Sequence, residues 1–258
     1  MDIQLQQKVV LITGSSRGIG AAIARGFAEQ GATVVINYLK NKEKAEQLAD
    51  ELIEKYDVDA YTVQGDVTNE ADMKSLFEEV ISEFDTIDIV VNNALHAYTF
   101  DPEQRKLAWE LEWEDYQRQI DGALKGTYNV CKHAISIMKK KRAGRIINMV
   151  SNLVYRPVVP YHDYNTAKAA VLAYSQNLAV DVGAFGITVN CIAPGIVYPT
   201  DASKTTKEEI KELIKQQTPL HRIATPNDVV GSVLFFASNW STFVTGQCMV
   251  VDGGLVMK

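Results

Sequence analysis

The sequence predicts a doubly wound α/β fold, a parallel seven-stranded sheet with helices on both faces, in one domain spanning residues 1–258. Three observations predict it. Short β-branched runs alternate with longer amphipathic ones from end to end. Several of the short runs are continuously apolar, as strands covered on both faces must be. No Pro/Ser-rich linker, repeat or low-complexity segment interrupts the alternation.

The elements follow in order. "KVVLI" at 8–12 opens the sheet, and a glycine-rich turn leads from it into an Ala-rich helical stretch at 18–30. "TVVIN" at 33–37 and "AYTVQ" at 60–64 are strands separated by a helical pattern at 41–56. A helix at 69–84 leads to "IDIVV" at 87–91, and a long helix at 112–141 leads to "RIINMV" at 145–150. A helix at 163–183 precedes "ITVNCIA" at 187–193, and one at 226–238 precedes the last strand, "CMVV" at 248–251. Two stretches fit the alternation poorly: the aromatic-rich 95–113 and the polar, partly helical 195–219. Long excursions at the carboxyl ends of parallel strands build binding sites, so both are expected walls of a substrate cleft.

Composition narrows the functional classes. The chain is 47% hydrophobic and 22% charged, ordinary for a soluble globular protein, and its net charge of −6 excludes a phosphate-backbone binder. The one basic cluster, "KKKR" at 139–142, follows an apolar helical stretch, where cations suit the helix dipole. Cys131, Cys191 and Cys248 are widely spaced in apolar surroundings, with neither a disulfide framework nor zinc-type spacing. His96, His133, His162 and His221 show no metal-ligand pairing. The chain opens straight into a strand, without a signal peptide or a membrane-spanning stretch, so a reducing, cytoplasmic setting is expected.

Gly14, Gly18 and Gly20 stand at G-x-x-x-G-x-G spacing between a strand and a helix. Such glycines let a backbone turn sharply and approach a pyrophosphate, which then sits against the helix N-terminus. In a dinucleotide fold the end of the second strand selects the cofactor, an acid there binding the ribose 2′-hydroxyl of NAD. Here Asn37 and Tyr38 stand at that place, while Arg17 and Lys40 or Lys42 offer positive charge to a 2′-phosphate. NADP(H) is the expected cofactor, and Asn37→Asp is expected to shift preference toward NADH.

"VPYHDYNTAKAA" at 159–170 places Lys168 four residues after Tyr164 and seven after Tyr161, which puts all three near one helix face. Either tyrosine could serve a nearby lysine on spacing alone.

Taken together, "TGSSRGIG" (13–20), "GDV" (65–67), "NNA" (92–94), Ser151, the Tyr164/Lys168 pair and "PG" (194–195) resemble the short-chain dehydrogenase/reductase family across nearly the whole chain. "RIATPNDVVGSVLFFAS" and "TGQCMVVDGG" further resemble its bacterial 3-oxoacyl-acyl-carrier-protein reductase branch. The resemblance implies a Rossmann fold and carbonyl reduction, with Ser151 holding the substrate carbonyl and Tyr164 exchanging the proton. Lys168 would lower the phenol's pKa, ordinarily near 10. It also implies cofactor contacts at Gly14, Ser16, Arg17, Gly18, Ile19, Gly20, Asn37, Tyr38, Asp66, Val67, Asn93, Ala94, Tyr164, Lys168, Pro194, Gly195 and Val197. Tyr161 is expected to line the pocket or pack, and His162 to sit at the cleft rim or cap the helix.

The chain departs from the family in three places. Leu95 replaces the glycine of NNAG, the 95–113 connection is longer, and Ala123 stands where the family has a fourth catalytic asparagine. Asn129 is too far along the helix to replace it. Gln119 and Asp121 are close in sequence but are not expected to point along Ala123's direction. A slow enzyme is expected, which Ala123→Asn should speed. Three activities fit: a 3-oxoacyl-thioester reductase, with acyl carrier protein as its candidate partner; a reductase of another ketone, sugar or alcohol; and a weakly catalytic NADP-binding sensor. The resemblance and the apolar 226–240 and 248–258 stretches lead to an expected homotetramer.

Overall fold

The computed structural model describes residues 5–95, 98 and 100–257; His96, noted above, lies outside them. The strands are β1 (Val9–Ile12), β2 (Thr33–Tyr38), β3 (Ala60–Gln64), β4 (Ile89–Asn92), β5 (Gly144–Met149), β6 (Ile187–Pro194) and β7 (Cys248–Val251). The helices are α1 (Gly18–Glu29), α2 (Lys42–Tyr56), α3 (Glu70–Phe84), α4 (Trp113–Ile120), α5 (Gly126–Lys141), α6 (His162–Val182), α7 (Glu208–Gln217) and α8 (Pro226–Ala237). All strand pairs are parallel, in the order β3-β2-β1-β4-β5-β6-β7. The chain moves outward from β1 to β3, then returns to the other side of β1 and continues through β7. This reversal leaves a crevice beyond the carboxyl ends of β1 and β4, where such folds place their ligands.

Strand alternation divides the core in two. Val10 and Ile12 pack with Ile23 and Phe27 of α1, Leu48 and Leu52 of α2 and Val233 and Phe236 of α8. Val9 and Leu11, on the opposite face, join Leu76 and Phe77 of α3, Val130 and Met138 of α5 and Val182 of α6. Phe27 and Phe236 are fully buried, so truncating either to alanine removes roughly 3–5 kcal/mol. No helix of the described residues is long and apolar enough to cross a membrane.

The long helix expected over 112–141 is interrupted. α4 begins with reciprocal hydrogen bonds between Glu112 and Asp115, then passes through a wide π-turn at Asp121–Lys125 before α5. Single π-turns of this kind concentrate at functional sites. Gly126 follows the wide turn, and a β-carbon there would lie 2.8 Å from Val67 Cγ2. Helix α6 turns its buried stripe, Tyr164, Ala167, Lys168, Val171, Ser175, Ala179 and Val182, toward the sheet at helical spacing. Tyr164, Lys168 and Ser175 thus bring three polar groups into an otherwise apolar face.

Candidate active site

The ends of β1, β2 and β4 are locked together by side-chain amides and a hydroxyl. Thr13 Oγ1 accepts the backbone N–H groups of Asn93 and Ala94, each at 3.0 Å. Asn93 Nδ2 donates to the carbonyls of Thr13 (3.0 Å) and Gly14 (3.1 Å). Gly14 and Gly18 adopt φ +60° and +57°, a region that penalises a β-carbon. A β-carbon at Gly20 would lie 2.8 Å from the Gly14 carbonyl and 2.6 Å from the Asn93 amide. Ser16, Gly18 and Ile19 form the half-buried rim of the first turn of α1, and Arg17 is exposed beside them. A glycine loop shaped this way, ending on a helix N-terminus, fits a pyrophosphate.

Asn37, expected among the cofactor contacts, turns its side chain into the protein interior. It is 2% exposed. Its Oδ1 accepts the Gly14 N–H at 3.1 Å, and its Nδ2 donates to the carbonyls of Gly65 (3.1 Å) and Val63 (3.4 Å). Its own carbonyl accepts the Ser15 N–H. Asn37 therefore ties the glycine loop to β3. Tyr38 is likewise buried, its ring in the core with α2. Leu39 and Lys40 are the first exposed residues past β2. In Asn37→Asp a carboxylate would face two carbonyls and lose both donated bonds, costing about 1–3 kcal/mol. Thermal melting should show Tm lowered by roughly 2–10 °C, with the ratio of NADPH to NADH dissociation constants little changed.

The two lysines and the arginine expected near a 2′-phosphate differ in their surroundings. Arg17 pairs with Asp201 at 2.9 Å and Lys42 with Glu46 at 3.5 Å, whereas Lys40 lies exposed at the end of the second strand. Asp66 Oδ1 accepts the Thr68 N–H and hydroxyl, both at 2.8 Å, shaping the turn after β3. The Val67 carbonyl accepts from Asn129 Nδ2 at 2.8 Å. Asn129 therefore positions that turn from α5.

Ser151, Tyr164 and Lys168 come together at the carboxyl end of β5, all buried. Tyr164 shares a hydrogen bond with Ser151, whose Oγ also accepts the Leu153 N–H at 3.2 Å. Lys168 Nζ donates to the Met149 carbonyl at 2.7 Å and lies 5.9 Å from the centre of the Tyr164 ring. Burial dominates and pushes Tyr164 up to about 12, with only the Ser151 hydrogen bond opposing it. Burial also pulls the Lys168 ammonium down to about 8. At neutral pH the phenol carries its proton and the lysine its charge, the pairing a carbonyl reduction needs.

An aromatic wall closes on Tyr164. The rings of Tyr98 and Phe100 each lie 5.1 Å from it, tilted by 32° and nearly perpendicular respectively. The Tyr98 hydroxyl donates to Asp163 Oδ1 at 3.1 Å, and burial followed by that carboxylate raises the phenol's pKa strongly. Tyr161 packs against both rings. The two long excursions meet here. The Phe100 N–H donates to the Ala202 carbonyl at 3.1 Å, Thr206 Oγ1 donates to the Phe100 carbonyl, and Lys207 pairs with Glu103. Sequence reasoning named the excursions but missed Thr13, Tyr98, Phe100, Asp163 and Asp201. A threonine directly before the first glycine was the available signal for Thr13.

Pro194 and Gly195 end β6, with the Gly195 N–H on the Val251 carbonyl, and Val197 is buried where it bridges to Ala224. Leu95 is exposed, beside the Ala94 against which Gly14 packs. Ala123 is buried in the π-turn among Val150, Ala167, Val171 and Cys191. Asp121 turns to Gln117, but Gln119 is buried and its Oε1 has no hydrogen-bond partner. Ala123→Asn places an amide into an apolar cluster, so the expected gain in turnover comes with about 1–3 kcal/mol lost stability. Rates measured per folded molecule, with melting curves alongside, check both.

Comparison with known proteins agrees with this geometry. The family model described as Enoyl-(Acyl carrier protein) reductase matches residues 14–256. The 3-oxoacyl-[acyl-carrier-protein] reductase FabG of Aquifex aeolicus is 37% identical over 255 residues, 99% of this chain and 100% of that protein. The protein of the same name from Staphylococcus aureus is 36% identical over 250 residues, 97% of this chain and 98% of that one. A crystal structure from Agrobacterium tumefaciens, provisionally described as a gluconate dehydrogenase, superposes with TM-score 0.92 at 31% identity, covering both chains fully.

Proposed function

The chain belongs to the short-chain dehydrogenase/reductase family and is an NAD(P)-dependent oxidoreductase; from that premise we propose that it is an NADPH-dependent 3-oxoacyl-thioester reductase, one domain across residues 1–258. The observation that carries the reading is the buried Ser151–Tyr164–Lys168 group beside the glycine loop. The substrate class comes from the FabG relatives, which act by name on 3-oxoacyl-[acyl-carrier-protein].

The residues divide the work. The nicotinamide supplies the hydride when bound. Ser151 donates to the substrate carbonyl oxygen, and Tyr164 gives that oxygen its proton as charge develops. The Lys168 ammonium stabilises the phenolate left behind. Gly14, Gly18 and Gly20 leave room for the pyrophosphate at α1, with Ser16, Ile19, Asp66, Val67, Asn93, Ala94, Pro194, Gly195 and Val197 around the cofactor. Arg17 at the glycine loop and Lys40 directly after β2 support NADPH over NADH, because both are exposed cations and residues 37–42 hold no carboxylate. Trp240 and Phe243, exposed near β7, support assembly into a homotetramer, which light scattering tests.

One observation favours a second reading, a reductase of a smaller ketone or sugar acid. The rings of Tyr98 and Phe100 crowd the catalytic phenol, leaving little width for an acyl-carrier arm. The decisive experiment follows NADPH and NADH oxidation with acetoacetyl thioesters beside non-thioester ketones and sugar acids. NADPH oxidation fastest with the thioester supports the proposal. Turnover only with small non-thioester carbonyls, or equal affinity for the two cofactors, rejects it.

A further inference from the structure

A row of polar side chains crosses the interior of the sheet. Register pairs Asn92 with Asn148, Asn148 with Cys191 and Cys191 with Cys248, one residue from each of β4 to β7. Paired positions on parallel strands project to the same face. Asn92 Nδ2 donates to Asn148 Oδ1 at 2.8 Å, and Asn148 Nδ2 donates to Ser175 Oγ at 2.7 Å. Cys191 hydrogen-bonds with both Ser175 and Cys248, and Cys248 also meets the Tyr155 hydroxyl. Cys191 is buried within electrostatic reach of Lys168, while Cys248 lies on the last strand and is partly exposed. Cys131 stands apart from the pair, buried on α5 against Asn92.

We propose that Cys191 and Cys248 form a reversible disulfide under oxidation by a hydroperoxide, a redox switch built beneath the catalytic lysine. Neighbouring strands lie about 4.8 Å apart, within the Cα separation a disulfide spans. Cys248, the less buried of the two residues, attacks the terminal peroxide oxygen as thiolate; the O–O bond breaks, its sulfur becomes a sulfenic acid, and water, or the alcohol of an organic hydroperoxide, leaves. Cys191 sulfur then attacks that sulfur, the S–S bond forms, and the hydroxyl departs as a second water with the Cys191 proton. Two thiols lose two electrons, and one hydroperoxide is reduced. Cys191 is unsuited to the first role, since the Cys248 contact and burial raise its pKa and disfavour the thiolate that attacks peroxide; what fits it to the second is its place opposite Cys248 in the strand register. A link between side-by-side parallel strands is not a relaxed disulfide, which makes it readily reducible. It would also draw β7 against β6 next to Lys168, whose charge already senses Cys191. The proposed bond does not depend on which carbonyl the enzyme reduces.

The test uses the full chain treated with hydrogen peroxide, then trapped with N-ethylmaleimide in denaturant and mapped by mass spectrometry. The expected result is the loss of two hydrogens and a linked Cys191–Cys248 peptide, with Cys131 alkylated and the change reversed by dithiothreitol. Cys131→Ala should still form the link; Cys248→Ser should not. Oxidised wild type should turn over more slowly than reduced, with Cys248→Ser unaffected. Cys248 found only as sulfinic acid, linked to Cys131 or linked between two copies overturns the pairing. Equal rates for oxidised and reduced protein overturn the switch.

Discussion

Tyr164→Phe is expected to lower turnover by about 10²–10⁴-fold, the usual contribution of a positioned proton donor. The variant keeps the ring that Tyr98, Phe100 and Leu153 pack against, so melting temperature should change little. What it loses is the hydroxyl shared with Ser151 and the proton held at a pKa of about 12. The control is Tyr161→Phe. That residue packs edge-on against Phe100 and Tyr98, and its loss of a hydroxyl should cost far less. Steady-state rates for both variants decide the assignment. A larger loss at Tyr161 would move the proton donor one helical turn.

Lys168→Met is expected to cost about 10²–10³ in turnover, the scale of one lost electrostatic stabiliser. Its stability signature is more telling. Burial lowers Lys168 from 10.5 to about 8, so below pH 8 the folded protein holds a charge that its interior disfavours. Between about 8 and 10.5 the unfolded chain binds a proton the folded one has released. By linkage, wild-type stability rises with pH across that window relative to a variant with nothing to titrate there. The Tm of wild type should therefore gain on that of Lys168→Met from pH 8 to 10, while Tyr164, present in both, cancels. The reduction rate of wild type should fall over the same range as the ammonium is lost. A pH-independent Tm difference would mean that Lys168 is not a desolvated cation.

What the sequence revealed and what it hid follow a physical division. Strand and helix positions were legible because apolar runs and helical spacing are local, and β1 through β7 lie within a few residues of the expected ranges. Ser151, Tyr164 and Lys168 were legible because they hang on one strand end and one helix. The side-chain role of Asn37 was not. It depends on pairing with β3, where Val63 and Gly65 supply the partners. The π-turn was hidden for a similar reason: the stretch around Ala123 reads as ordinary helix, and the widening appears only against Val67 and α6. Likewise, the spacing of Tyr164 and Lys168 carried no sign of how deeply the tyrosine is buried, and it is burial that raises its pKa.

The contact between Phe100 and residues 202 and 206 also bears on how such a chain can change through descent. Each excursion supplies a backbone partner to the other, so neither can be lengthened or trimmed alone without stranding a donor or acceptor over the reacting phenol. Insertions and deletions in the two stretches should accordingly be inherited together among close relatives, even though roughly a hundred residues of chain separate them. New substrate ranges would then arise by exchanging the two segments as a matched set, on a scaffold whose glycine loop and strand ends stay fixed.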